Sequence, residues 1–171
     1  EVMKDLRTGR ERHFHFPKKC PVCDSRVMRQ EGEVAYRCSN TDCFGQKSER
    51  LFHFVARNAM NIEGLGEKVI CQLLEQGLVG DPADLLMLEQ GDLMSLPLFK
   101  EKKTENILVA IQKSKEVTLD KFLYSLGIRY LGEQMSAELA EYIYDMNGYP
   151  ENFSIEKLIQ TVKKFDDEKL K

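Results

Sequence analysis

Cys20-Pro21-Val22-Cys23, fourteen further residues, then Cys38-Ser39-Asn40-Thr41-Asp42-Cys43 is the stretch from which the rest of this 171-residue chain can be read. Two close cysteine pairs at such a distance are how a short chain delivers four thiolates to one tetrahedral metal ion. Each pair forms a knuckle, and the spacer crosses back as a hairpin. Four sulfurs leave no open coordination position, so the pattern predicts a structural Zn2+ held by Cys20, Cys23, Cys38 and Cys43. Between the pairs, Glu33–Arg37 (EVAYR) has strand-forming residues that suit such a hairpin. The segment is too small to hold a core of its own, so metal binding supplies much of its folding free energy.

The remaining cysteine and the histidines add little to this site. Cys71 lies among Val69, Ile70 and Leu73 and is expected to be a core thiol. His13, His15 and His53 are left over once four sulfurs fill the shell, and His53 is expected to be an ordinary helix residue. An odd cysteine count without a secretory signal speaks against a disulfide framework and for a reducing cytoplasm. The longest apolar run, Leu51–Val55, is broken by His53. It falls far short of the roughly 20 residues that span a bilayer, so no membrane association is expected.

A hydrophobic share of 42% and a charged share of 31% exclude a disordered chain. The formal net charge is −3, and its distribution is uneven. Residues 1–50 carry 11 Lys/Arg against 8 acidic residues, whereas residues 116–146 carry 2 against 6. A polyanion binder resting on a broad positive surface is thereby excluded. Any nucleic-acid contact must use backbone amides and a few placed cations.

Outside the cysteine segment the apolar period becomes helical. Residues 1–16 (EVMKDLRTGRERHFHF) read as a linker or the end of a preceding domain, 17–47 as the finger, and 48–171 as a helical body. Ser48 suits an N-cap, with Leu51, Phe54 and Val55 at helical spacing. Further helices are expected over 67–76, from Asp84, and over 90–96, 101–115, 118–126 and 132–146. The 132–146 helix should turn Met135, Leu139, Ala140 and Ile143 inward. After a loop at 147–150, Ser154 caps a last helix carrying Ile155, Leu158, Ile159 and Val162. The expected fold class is mainly α: a small four-cysteine zinc finger followed by an array of helix pairs joined by tight turns that recur about every thirty residues.

Those turns are where a second chemistry lies. Ile62-Glu63-Gly64-Leu65-Gly66-Glu67-Lys68 sets two glycines between two helices. Glycine permits a tight turn at positive φ, and the amides of Gly64, Leu65, Gly66 and the next helix start then face outward as an anion pocket. Lys68 adds a cation. A second copy is Leu126–Glu133 (LGIRYLGE), with Gly127 and Gly132 as its glycines and Arg129 in the turn. A third, Leu96–Lys103 (LPLFKEKK), lacks both glycines, and Lys100, Lys102 and Lys103 are its candidate phosphate contacts. The blander readings are glycines that only cap helices and lysines that form a solvated face.

With these pieces in place, the sequence resembles the zinc-finger and helix-hairpin-helix region of bacterial NAD-dependent DNA ligases. The matching pieces are PKKCPVC (17–23), RCSNTDC (37–43), Gln46, His53-Phe54, RNAM (57–60), IEGLG (62–66), Ser114-Lys115 and LGIRYLGE (126–133). The resemblance spans about residues 3–146. It implies an array of helix-hairpin-helix motifs that grips duplex DNA at a single-strand nick without sequence preference, and residues 1–16 ending an OB-fold. It further implies a parent enzyme that seals nicks in replication and repair, using NAD as AMP donor and Mg2+ in other domains of the same polypeptide. The catalytic Lys-x-Asp-Gly motif is expected outside these residues, because the nearest run, Lys164-Phe165-Asp166-Asp167, lacks the glycine. A non-enzymatic DNA-repair scaffold and a pure protein-interaction module remain the alternatives on the residues alone.

Overall fold

The computed structural model describes residues 3–10, 12 and 14–147. The loop after Asn147, the helix expected at Ser154, the run Lys164–Asp167 and His13 lie outside the described residues. The chain divides into two compact units, one ending at Gln46 and one beginning at Lys47.

In the first unit a 3-10 turn at Lys4–Leu6 precedes a two-stranded antiparallel hairpin. Strand β1 (Val27–Arg29) pairs with β2 (Tyr36–Cys38), with Val27 opposite Cys38 and Arg29 opposite Tyr36. The strand-forming run Glu33–Arg37 is thus only partly strand, because the Glu33 amide bonds back to the Gln30 carbonyl and bends the chain before Tyr36. Phe16 stacks on Tyr36 with ring centroids 4.2 Å apart, and Phe14 packs edge-on against Phe16.

The rest is helical: α1 (Phe44–Val55), α2 (Glu67–Glu75), α3 (Pro82–Leu86), α4 (Gln90–Met94), α5 (Glu101–Ser114), α6 (Leu119–Ser125) and α7 (Glu133–Asn147). Helix α1 begins four residues before the expected cap, and Ser48 is a buried interior residue. The start of α1 is set by the second cysteine knuckle, which delivers the chain at Cys43 already turning. Helix α3 starts at the Asp81 cap, whose carboxylate accepts from the Ala83 and Asp84 amides while the Asp84 carboxylate accepts from Asp81.

One core joins α1 to α5, through Leu51, Phe54, Leu65, Ile70, Leu73 and Ile107 among others. A smaller cluster forms where α6 packs on α7, around Leu119 and Ala140 with Phe122, Leu123 and Ile143 against them. The inward face of α7 is therefore Ser136, Ala140 and Ile143. Met135 and Leu139 are exposed, contrary to the sequence expectation. Small side chains let α6 approach closely along that face, which leaves the larger residues on the other side. Cys71 is half-buried rather than a core thiol, because Ile70 and Leu73 take the inward positions of α2.

Three helix pairs are joined by one turn geometry. The Leu65 amide bonds to the Ile62 carbonyl, Phe99 to Leu96, and Leu131 to Ile128. The third residue of each four-residue turn has positive φ: Gly64 at 90°, Leu98 at 65° and Tyr130 at 67°. This is the signature of a type II turn, and Pro97 stands at the second position such turns favour. The next residue caps the helix, accepting at its carbonyl from the amide four residues on: Ile70 to Gly66, Thr104 to Lys100, Ser136 to Gly132. Ile70, Thr104 and Ser136 are all fully buried, so each pair seats its second helix by the same residue. The turns begin at residues 62, 96 and 128, in keeping with the spacing of about thirty residues read from the sequence.

Glycine is required at only one of these places. A Cβ at Gly64 would stand 2.7 Å from Ile107 Cγ1 as well as at unfavourable φ, whereas one at Gly66 meets nothing within 4 Å and its φ is −75°. Gly64→Ala should therefore cost about 2–4 kcal/mol of stability from strain and overpacking together. Gly66→Ala should stay within about 1 kcal/mol, as for an exposed cap position. Urea unfolding followed by circular dichroism measures both, and equal effects at the two glycines would contradict this assignment.

Candidate metal centre and nucleic-acid interface

The first knuckle closes through two backbone bonds, Cys20 amide to Ser25 carbonyl at 2.8 Å and Asp24 amide to Cys20 carbonyl at 2.9 Å. Asp24 takes positive φ to finish it, a conformation that Asp tolerates better than most residues. The second knuckle is an Asx-turn: Asn40 Oδ1 accepts from the Asp42 amide at 2.9 Å, and the Cys43 amide bonds to the Asn40 carbonyl. Gln46, one turn into α1, donates its Nε2 to the carbonyls of Cys38 at 2.7 Å and Asn40 at 3.1 Å. That lock explains why a glutamine three residues after Cys43 accompanies the cysteines, a link the spacing alone does not reveal.

These knuckles bring the sulfurs of Cys20, Cys23, Cys38 and Cys43 within 4.8 Å of one another. Cys20 and Cys43 Sγ are 3.8 Å apart, and Cys23 and Cys38 Sγ are 3.5 Å apart. A zinc–sulfur distance of about 2.3 Å makes the tetrahedron's edges about 3.8 Å, so the donor set fits zinc in both chemistry and size. Neither His15 nor His53 belongs to the cluster.

The local field already separates the thiols. The Ser25 hydroxyl and then the Ser25 amide bond to Cys23 and pull its thiol down to about 6. At Cys38 the Asn40 amide favours the thiolate, but burial and the hydrogens shared with Cys23 and Cys20 outweigh it and push the thiol up to about 11. Metal ligation requires thiolates, so protons compete with zinc and affinity falls as pH falls.

The turns form a second surface, on the unit beginning at Lys47. The first amides of a helix have no intrahelical acceptor. Neither Gly66 of α2 nor Lys100 of α5 supplies a side-chain cap. Gly64, Gly66, Lys68, Lys100, Lys102, Arg129 and Gly132 are all exposed, while Leu65 is buried as the apolar anchor of its turn. Beside the first turn, α5 and Gly64 border a cleft of about 690 Å³ edged by Lys102, Asn106 and Lys113.

Two sequence assignments change meaning in three dimensions. Gly127 is not the counterpart of Gly64. It ends α6 with φ of 62°, and a Cβ there would come within 3.4 Å of the His53 ring. His53 in turn bonds through Nε2 to the Tyr124 carbonyl at 2.8 Å and stacks edge-on against the Tyr124 ring, which accounts for His53, Tyr124 and Gly127 as one packing unit. The counterparts of Gly64 are Leu98 and Tyr130, which a search for glycines passes over. Lys103 lies with its Nζ 3.7 Å from the Phe99 ring centroid, a cation–π contact that ties it to its own turn.

A closed four-cysteine finger followed by a helical body with a thrice-repeated turn defines the class of this molecule. Residues 19–43 match the family of the NAD-dependent DNA ligase C4 zinc finger domain. The chain is 50% identical over 139 residues to the DNA ligase of Bacillus subtilis strain 168, a match covering 81% of this chain and 21% of that protein. It is likewise 50% identical over 143 residues to the DNA ligase of Listeria monocytogenes serotype 4b, and 48% identical over 143 residues to that of Caldicellulosiruptor bescii. These matches cover 82% and 84% of this chain and 21% of each relative. The chain therefore spans about a fifth of the length of these relatives.

Zinc measured by atomic absorption should copurify with the chain in stoichiometric amount. Acidification to about pH 5 should release it to a chromogenic chelator, in line with proton competition at the thiolates. Cys43→Ser should abolish retention. Zinc kept by that variant would show that the four sulfurs are not the ligand set.

Proposed function

We propose that this chain is the DNA-gripping part of an NAD-dependent DNA ligase. In this reading residues 17–47 are the finger, with zinc held by Cys20, Cys23, Cys38 and Cys43, and residues 48–171 are a helix-hairpin-helix body. Residues 1–16 end an OB-fold or link to it. The observation that carries the reading is the turn geometry at Gly64, Leu98 and Tyr130, repeated behind a finger of the ligase type. Three like turns, each opening a helix start toward solvent, suit a partner with a repeating anionic backbone, and duplex DNA is such a partner.

The chemistry assigned to each residue follows from its place. The Leu65, Phe99 and Leu131 amides are taken up inside their turns, so the backbone amides at 64 and 66, 98 and 100, and 130 and 132 receive phosphates, helped by the positive ends of α2, α5 and α7. Lys68, Lys100, Lys102 and Arg129 add charge beside them. Amide contacts carry no base information, so the grip is independent of sequence and holds the duplex on either side of a nick. The finger's closed metal site has no position for substrate, and zinc there fixes structure. Nick sealing itself, with adenylate from NAD and Mg2+, belongs to other domains of the parent polypeptide, and the setting is cytoplasmic. Among the described residues no helix is long and apolar enough to cross a membrane.

Gly66→Val tests the amide surface, since a Cβ there meets no heavy atom within 4 Å apart from its chain neighbours and the φ of −75° suits an L-residue. Affinity for a fluorescein-labelled nicked duplex, read by anisotropy, should fall about tenfold or more with zinc content and helicity unchanged. A parent chain that ignores nicked duplex at low salt, or a variant that binds as well as the parent, would contradict the proposal.

A further inference from the structure

Leu98 and Tyr130 present a cost that folding does not explain. Each is an L-residue held at positive φ, in the turn position that Gly64 fills with a glycine. Each is also nearly bare: at 93% and 84% exposure they are the two most exposed large apolar side chains among the described residues. The strained backbone opposes the folded state, the bare side chain buries almost nothing to offset it, and glycine at either place would remove the strain. The neighbouring turn residues behave otherwise, since Leu65 and Phe99 are buried and hold their turns to the core. Burial accounts for the fourth position of the first two turns and leaves the third position of the second and third turns without a reason.

The place of these side chains suggests what they meet. Each lies three residues before a helix start, next to the amides assigned above to phosphate. Along a nucleic-acid strand the surface beside a phosphate is the deoxyribose, whose C–H faces are apolar. We propose that Leu98 and Tyr130 pack against deoxyribose beside the phosphates bound by their own turns, and so set how deeply the second and third turns seat on the duplex. This rests on the DNA-gripping reading and adds to it: amides supply the charge-based grip, and these two side chains supply an apolar contact that the glycine turn lacks.

The experiment uses the full zinc-loaded chain and a labelled nicked duplex, titrated by anisotropy across a salt series. Leu98→Gly and Tyr130→Gly relieve the strained φ, so both variants should melt at or above the parent temperature. Each should raise Kd about five- to tenfold, the loss expected for one partly buried apolar contact. The slope of log K against log salt should stay as in the parent, because no phosphate contact is removed. Kd values within about twofold of the parent, or a changed salt slope, would overturn the inference while parental binding and a weakened Gly66→Val keep the wider reading intact. If the parent fails to bind, or Gly66→Val binds as the parent does, the wider reading fails and this one falls with it.

Discussion

An α-helix entered from a turn begins with amides that have no partner inside the helix, and everything distinctive about the larger unit follows from how it treats them. Proteins usually cover such amides with a capping side chain. Asp81 does so at α3, where it meets the Ala83 and Asp84 amides. At α2 and α5 the capping residue is Gly66 or Lys100, and neither returns a side-chain bond. The same backbone path leads into α7 through Gly132. The first amides of α2 and α5 are thus left without a side-chain partner, as those of α6 after Thr118 also are, and the proposed phosphate contacts make use of that opening at α2 and α5.

That surface needs rigid support, which comes from two different sources. In the larger unit it is packing: the fourth residue of the first two turns is buried, and the residue four past the cap is fully buried in all three pairs. In the smaller unit it is coordination. A hairpin of two three-residue strands cannot pay for its own ordering through apolar burial, so four sulfurs around one metal take the place of a core. Gln46 and Asn40 are the outer members of that arrangement, tying the carbonyls and sulfur of the second knuckle to the start of α1.

How much of this was legible in the sequence depended on whether a feature is local. Cysteine spacing is local, since a knuckle is defined by its own few residues, and the four ligands were brought together as the spacing implied. Helix order was legible from apolar period, but the start of α1 was not, because a knuckle rather than a hydroxyl cap sets it and Ser48 is interior. The face of α7 was misjudged because size predicts burial only until a neighbour demands close approach, and α6 selects Ser136 and Ala140 over Met135 and Leu139. The turns show the limit best. Glycine marks a left-handed position where nothing else compels it, yet at Leu98 and Tyr130 the flanking helices impose that conformation on residues whose identity gives no sign of it.

The central claim is that the amides at the three helix starts are where DNA phosphates bind. Amide nitrogen–proton spectra recorded while nicked duplex is added measure this most directly. The account predicts that the largest shifts cluster at 64–68, 98–103 and 130–135, with the core amides of α2 and α5 little changed. Shifts confined to other surfaces, with those three clusters unmoved at saturation, would contradict it.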